Sequence, residues 1–264
     1  MKKIHKKIMI VGLVTVVTAG AFAGVRKWVS TPAKEEDMSL EELFAPPDGV
    51  KLSKEEIDIL ADMAKVLHQL DTLNVYTIAG SYSVKDLADS SNNMQANFYY
   101  TRQDSVAYYR IGQQEMIALS ECFITVDHEA KKIFLAPHKA VNPPVSSPMD
   151  LENKLIARES YHISRTDKDG VSKITLFNNT HVSCREYNVT FDSTGMIRQT
   201  DMRMTDPFRA TDQTKDKLVV MKINSWQMGT ARTSLLQMDK YIHVRNGVIT
   251  SALDNYEIIR YQQQ

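Results

Sequence analysis

Glycine-rich loops and paired histidines are missing from this 264-residue sequence. Its ten glycines form no phosphate-binding loop, no dinucleotide-binding turn and no Gly-x-Ser-x-Gly turn around a nucleophilic serine. His128-Glu129 lacks the second histidine, four positions after His128, that a zinc-binding helix requires. The aspartates show no spacing that singles out a general acid and base. We therefore expect no cofactor, no metal site and no catalytic residues, as in a protein that is not an enzyme.

Cysteine is scarce as well, and Cys122 and Cys184 are the only two. In an oxidising compartment they could form a disulfide. Each also lies in an apolar, strand-like run, where a cysteine packs as a small buried thiol. The sequence leaves both interpretations open, a Cys122–Cys184 bridge or two free thiols.

The chain has no overall surplus of charge, with 32 Lys/Arg against 32 Asp/Glu. This balance hides an asymmetry, because residues 1–28 contain six Lys/Arg and no Asp/Glu. The remaining 26 Lys/Arg stand against 32 Asp/Glu, which gives the rest of the chain a net charge of −6. A nucleic-acid partner requires clustered cations, so we exclude one.

Uncharged residues occur in one long run, residues 8–25, directly after Lys2, Lys3, Lys6 and Lys7. A cationic start followed by an apolar run is typical of an export signal. As a helix, 18 residues span about 27 Å, close to the thickness of a bilayer core. Residues 1–28 are predicted to be a signal anchor in the cytoplasmic membrane, with the rest of the chain on the periplasmic side. A cleaved signal peptide, which would leave a periplasmic protein, is the alternative.

Prolines and acidic residues dominate residues 29–51, which are predicted to be a flexible linker. Ser53-Lys54-Glu55-Glu56 then fits a capping box, so we expect a helix over residues 53–71. Its apolar stripe indicates packing on a sheet and comprises Ile57, Leu60, Ala61, Ala64, Leu67 and Leu70.

From Asn74 onward, apolar residues alternate with polar ones, which is typical of strands. Turns between the runs are too short for parallel crossovers, so the strands should be antiparallel. The sequence predicts one domain over residues 52–264, of mainly β (α+β) class: a large curved antiparallel sheet or half-barrel with one or two packing helices. A second short helix is expected after Ser147-Pro148. The predicted strands are 76–84, 97–101, 105–111, 115–119, 122–127, 132–136, 160–166, 171–177, 184–192, 196–205, 217–226, 239–245, 248–253 and 256–261.

Methionine is frequent, with 13 residues, many on or near predicted strands. Methionine is flexible and polarisable, so it can line an adaptable apolar cavity, although it also fills gaps in an ordinary core. Aromatic residues of the first strands could share such a cavity or pack beneath the helix. The candidate ligand-binding residues are Tyr76, Tyr82, Phe98, Tyr100, Tyr108, Met116, Phe123, Met202 and Met204.

The order of these elements, an export segment, a helix ending in Val66-Leu67-His68-Gln69-Leu70 and a long meander, resembles the LolA/LolB-like lipoprotein carriers. The nearest local matches lie in residues 76–84, 107–119 and 124–135, so the resemblance covers residues 53–136. It implies a half-barrel closed by helices, with an apolar interior that shields acyl chains without covalent chemistry. It carries no site residue over to this chain.

We therefore expect a membrane-tethered binding protein of the cell envelope that carries or senses a lipid-like ligand. The alternative is a structural or assembly component of an envelope or secretion machine, whose sheet edges recruit partner strands. An exported hydrolase is a third hypothesis, which would need polar side chains that only the fold could bring together.

Overall fold

A computed structural model describes residues 52–145 and 159–260. The membrane segment predicted at 1–28, the linker at 29–51 and the short helix predicted after Pro148 lie outside these residues. The chain divides into two compact units, and the larger one comprises Lys54–Ser146 and Tyr161–Gln264. The helix and all the strands reported below belong to this larger unit.

The predicted helix is confirmed as α1, Lys54–His68, which continues into a 3-10 turn at Gln69–Thr72. It begins directly after Ser53, as the capping box predicts. Its buried stripe differs from the predicted one, because Ala61 is exposed and Ile57 is 40% exposed. The buried side chains keep the three- and four-residue spacing, but the buried stripe lies further around the helix than predicted. These side chains are Leu60, Met63, Val66, Leu67 and Leu70.

The strands form two antiparallel meanders in chain order, as the alternation predicts. The first meander comprises β1 (Val75–Asp86), β2 (Met94–Gln103), β3 (Val106–Ile111), β4 (Gln114–Ala118), β5 (Cys122–Asp127) and β6 (Lys132–Pro137). The second comprises β7 (His162–Lys168), β8 (Val171–Phe177), β9 (Cys184–Asp192), β10 (Ile197–Met204) and β11 (Lys217–Met228).

Antiparallel pairing of β1 with β11 joins the two meanders into one sheet. The last described strand, β14 (Glu257–Arg260), adds to β6 in parallel, which departs from the all-antiparallel prediction. The result is an open sheet of twelve strands whose edges are β14 and β7, in the order β14-β6-β5-β4-β3-β2-β1-β11-β10-β9-β8-β7. The prediction of a mainly β fold built on one large sheet with a packing helix is confirmed.

The predicted hairpin around Asn246-Gly247 forms a separate two-stranded sheet of β12 (Ile242–Arg245) and β13 (Val248–Ser251). Both turn residues have positive φ, 51° for Asn246 and 76° for Gly247, as a type I′ turn requires. The predicted strand at 239–245 starts later than expected, because Met238–Lys240 is a 3-10 turn.

The large sheet has two sides, which the strand register assigns residue by residue. We call the side of Ile78, Tyr100 and Tyr109 the helix face, because Arg165 on that side pairs with Asp62 of α1. The other side, which carries Tyr108 and Ile117, we call the C-terminal face.

The two halves of the sheet bury different faces. Residues 229–260, which follow β11, are called the C-terminal segment. On β3–β6 the C-terminal face lies in a core with Tyr241 and Ile242 of this segment. The sheet residues of that core are Tyr108, Ile117, Ile124, Val126, Ile133 and Leu135. On β7–β9 it is the helix face that is buried, through Ile163, Ile174, Leu176, Tyr187 and Val189. The helix face of β3–β6 is therefore the side of these strands that does not pack against Tyr241 and Ile242.

Candidate ligand-binding face

The strand register places eight of the nine predicted ligand-binding residues on the helix face. Tyr108 points to the C-terminal face, where it packs in the core described above and is 2% exposed. The eight residues on the helix face are Tyr76, Tyr82, Phe98, Tyr100, Met116, Phe123, Met202 and Met204.

Burial divides these eight residues into two sets. The four aromatic residues of β1 and β2 are buried, so core packing accounts for Tyr76, Tyr82, Phe98 and Tyr100. The other four are half-buried and keep part of their surface, namely Met116, Phe123, Met202 and Met204. A ligand on this face would therefore meet the second set first.

A ladder of aromatic rings crosses β1, β2 and β3 on the helix face. The ring centroids of Tyr76 and Tyr100 are 5.6 Å apart, and those of Tyr100 and Tyr109 are 6.3 Å apart. The Phe98 and Tyr109 rings follow at 6.5 Å. The tilted arrangements are those that aromatic pairs favour, so the ladder is a rigid apolar platform.

Beside this ladder lies a strip of large apolar side chains that we call the ligand strip. Tyr109 of β3 is paired with Met116 of β4. Thr125 of β5 is paired with Met116 on one side and with Phe134 of β6 on the other. Tyr109, Met116, Phe123 and Phe134 make up the ligand strip, and all four are half-buried. Sequence reasoning missed Tyr109 and Phe134, although the two-residue alternation of β3 and β6 could have indicated them.

The ligand strip is almost free of charge. On the helix face of β3–β6 the charged residues are Asp127 and Lys132, a cross-strand pair at one end of β5 and β6. Asp127 accepts hydrogen bonds from the amides of Glu129 and Ala130, at 3.0 and 2.8 Å. The strip can therefore take an apolar ligand without burying an unpaired charge.

The buried phenols of β1 and β2 add no charge to this face. Burial raises the pKa of Tyr82 to about 12. Burial is also the main cause that raises the pKa of Tyr100, and the neighbouring Tyr76 adds to the shift. Both side chains stay neutral at physiological pH, so the face can attract a ligand by burial of apolar surface but not by phenolate charge.

A separate open groove of about 600 Å³ lies between the C-terminal half of α1 and the β9–β10 turn. Its lining includes Val66 and Phe191. The guanidinium of Arg165 lies 5.9 Å from the ring of Phe191 and donates to Asp62 at 2.6 Å and to Asp167 at 3.0 Å. These pairs are partly exposed and contribute little stability. They hold the Arg165 side chain in place beside α1.

The Cys122–Cys184 disulfide, one of the two interpretations, is not formed, and the Cys184 thiol instead donates to the carbonyl of Glu186 at 3.2 Å. Cys122 lies in β5 and Cys184 in β9, seven positions apart in the order of the sheet. At about 4.8 Å per strand this separation is about 34 Å along the sheet, whereas a disulfide needs Cα atoms within about 7 Å. Sequence alone could not exclude the bridge, because the order of the strands was unknown.

The C-terminal face carries a polar chain that sequence reasoning did not find. His128 Nε2 lies 2.9 Å from Glu115 Oε1, and His128 Nδ1 lies 2.6 Å from the Tyr256 hydroxyl. Lys240 Nζ lies 3.8 Å from the other carboxylate oxygen of Glu115. These contacts connect Tyr256, in the segment before β14, to the β5–β6 turn and to β4. No local pattern connects residues 13 and 128 positions apart.

Within residues 52–145 and 159–260 no group of three or more His, Cys, Asp or Glu side chains is placed to hold a metal ion. The same ranges contain no helix that is both long and apolar enough to cross a membrane. The predicted anchor at 1–28 lies outside them.

The sequence matches no protein-family model and no curated protein. Among solved structures, the chain is similar to an uncharacterised conserved protein from Thermus thermophilus, with 7% identity over 79% of this chain and 100% of that chain and a TM-score of 0.41. It is also similar to a LolA superfamily protein from Nitrosomonas europaea (8% identity, 70% and 98% covered, TM-score 0.29). LprF from Mycobacterium bovis is a third (12% identity, 66% and 93% covered, TM-score 0.27).

The presence of a LolA superfamily protein among these structures agrees with the distant architectural resemblance inferred from the sequence. All three TM-scores lie below 0.5. The likeness is therefore a partial likeness of fold.

Proposed function

We propose that the protein is a non-enzymatic binding protein of the cell envelope that shelters an acyl chain or a similar apolar ligand on the helix face. The observation that carries this proposal is the ligand strip, where four large apolar side chains on neighbouring strands stay half-buried. The other side of the same strands lies in a core with the C-terminal segment. The strip is thus not part of that core, and each of its side chains keeps part of its surface exposed.

Binding on this strip would be driven by burial of apolar surface. Each CH₂ group moved from water to a dry site contributes about 0.8 kcal/mol, so one long acyl chain supplies ample free energy. Met116 on the strip, with Met202 and Met204 on β10, provides flexible side chains that can adjust to the ligand. Tyr109 is the half-buried ring of the ladder, and it packs beside the buried rings of Phe98 and Tyr100.

The remaining parts of the proposal come from the sequence. Residues 1–28 would anchor the chain in the cytoplasmic membrane, and the linker at 29–51 would hold the domain on the periplasmic side, within roughly 25 Å of the bilayer. The resemblance to LolA/LolB-like carriers implies that the open sheet is curved into a half-barrel around the ligand, with α1 as a lid or floor.

The alternative is an assembly component that recruits partner strands at the sheet edges. The edges of the described sheet are β7 and the four-residue β14. The last four residues of β7 include three charged ones, Arg165, Asp167 and Lys168. Charged residues and short strands both block pairing at a sheet edge. The edges therefore favour this alternative less than the ligand strip favours ligand binding.

Mass spectrometry of lipid extracted from the purified full chain tests the proposal. We expect acyl ligands to copurify, and Met116→Asp and Phe123→Asp to weaken the binding of a fluorescent fatty acid by about tenfold or more, since each places a charge against the acyl chain. Val244→Asp is the matched control, because Val244 is 54% exposed on β12, away from the strip.

Circular dichroism should show that all three variants keep the wild-type strand content. Lipid-free protein that binds no fluorescent fatty acid would favour the assembly component. Equal weakening by Val244→Asp would show that the ligand strip is not the site.

A further inference from the structure

The two most exposed large apolar side chains of the described residues lie on neighbouring loops. Phe208, in the β10–β11 loop, is 94% exposed, and Val182, in the β8–β9 loop, is 69% exposed. Both loops leave the same end of the sheet, and they are bonded to each other there. The amide of Thr205 donates to the carbonyl of Ser183 at 3.0 Å, and the Thr205 hydroxyl donates to the carbonyl of Val182 at 2.5 Å.

The loop that presents Phe208 is held in a defined conformation. The Asp206 carboxylate accepts from the amide of Phe208 at 2.8 Å, and the Asp206 carbonyl accepts from the amide of Arg209 at 3.0 Å. Arg185, whose side chain is 3% exposed, donates to the carbonyl of Ala210. Phe208 therefore points into solvent from a backbone that these hydrogen bonds hold in place.

Two more apolar side chains lie at this end of the sheet. Leu87, in the β1–β2 loop, is 38% exposed, and its amide donates to the carbonyl of Asp216 at 3.0 Å. Phe177, the last residue of β8, is also 38% exposed. We call the set of Leu87, Phe177, Val182 and Phe208 the loop end. The exposed Arg209 directly follows its most protruding residue.

We propose that the loop end inserts into the interface of a lipid bilayer. Two protruding side chains offer at most a few hundred Å², since even a fully buried aromatic contributes about 150–250 Å². A stable protein interface needs about 800 Å² from each partner. A bilayer accepts protruding apolar side chains without a complementary pocket, and aromatic rings favour its interface.

The β10–β11 loop carries no net positive charge, because Asp206, Asp212 and Asp216 outnumber Arg209 and Lys215, so insertion would depend on the apolar side chains. The inference rests on the proposed function, in which residues 1–28 keep the domain beside the membrane. Contact at the loop end would turn the domain toward the bilayer, the source or destination of an acyl ligand.

Tryptophan quenching tests this inference on the full chain. Phe208→Trp is reconstituted in nanodiscs of phosphatidylcholine and phosphatidylglycerol, with and without bromine on the acyl chains, and the wild-type emission of Trp28 and Trp226 is subtracted. We expect brominated lipid to reduce the added emission about twofold or more, because the ring sits at the acyl boundary. The matched control is Val248→Trp, at a residue 60% exposed on β13, whose added emission should not change.

Equal emission of Phe208→Trp in both lipids would overturn the inference, and so would equal quenching of the two variants. If the emission maximum of Phe208→Trp shifts to the blue with rising protein concentration and not with added lipid, the loop end binds a second copy of the chain. Ligand binding is measured separately: Phe208→Trp should retain its acyl ligand, and adding Met116→Asp to the Phe208→Trp variant should not alter the quenching at position 208. Loss of one property without the other therefore shows which proposal fails.

Discussion

Replacing Asp216 by alanine should lower the free energy of unfolding by about 3–5 kcal/mol, because it leaves the buried Arg185 and the partly exposed Arg203 without their carboxylate. Asp216 is fully buried, and one of its oxygens accepts from Arg185 Nε at 3.1 Å and from Arg203 Nε at 2.7 Å. The Arg185 side chain is 3% exposed, so it cannot turn to water without opening the β8–β9 and β10–β11 loops. Urea denaturation monitored by circular dichroism measures the change.

The control for this prediction is Asp254→Asn, at an exposed carboxylate near the C-terminus of the domain. It should change stability by no more than about 0.5 kcal/mol. A loss below about 1 kcal/mol for Asp216→Ala would mean that the two arginines find other partners, and the ion cluster would then not be what holds these loops.

Gly80→Ala should cost about 3 kcal/mol or more, because there is no space for a methyl group at this position. Gly80 of β1 lies next to a register shift opposite β11 and faces Phe98 on β2. A Cβ atom here would overlap the carbonyl oxygen of Lys222 and lie 2.7 Å from the ring of Phe98. The backbone oxygen cannot move without separating β1 from β11, the pair that joins the two meanders.

Gly229→Ala provides the comparison. A Cβ atom at Gly229 would meet no heavy atom within 4 Å, but φ is +67°, so the substitution should cost only the backbone strain of about 1–2 kcal/mol. The two variants are compared by the midpoint of thermal unfolding. A smaller shift for Gly80→Ala than for Gly229→Ala would contradict the close approach of the strands.

The elements that sequence predicted well are those encoded by neighbouring residues. The capping box at Ser53 set the start of α1, and the Asn246-Gly247 pair identified the hairpin turn. Two-residue alternation located most strands to within a few residues, because it reports directly which side of a strand is apolar. It also grouped candidate residues within one strand, such as Tyr76 with Tyr82 and Met202 with Met204, although it could not say how the strands were ordered.

What sequence missed depends on contacts between distant segments. The pairing of β1 with β11 and the parallel addition of β14 to β6 have no local signal. Because the C-terminal segment covers β3–β6 on one side, Tyr108 lies in that core while its neighbour Tyr109 joins the ligand strip. Alternation separates two such neighbours onto opposite faces, but only the packing tells which face the C-terminal segment covers.

Photocrosslinking with a diazirine-bearing fatty acid is the most direct test of the central claim, that the helix face of β3–β6 holds an apolar ligand. After irradiation of the full chain and proteolysis, the label should be found on the ligand strip, at Met116, Phe123 or residues beside them. Labelling confined to the C-terminal segment, for example at Tyr256 or Ile249, or no labelling of the domain, would contradict it.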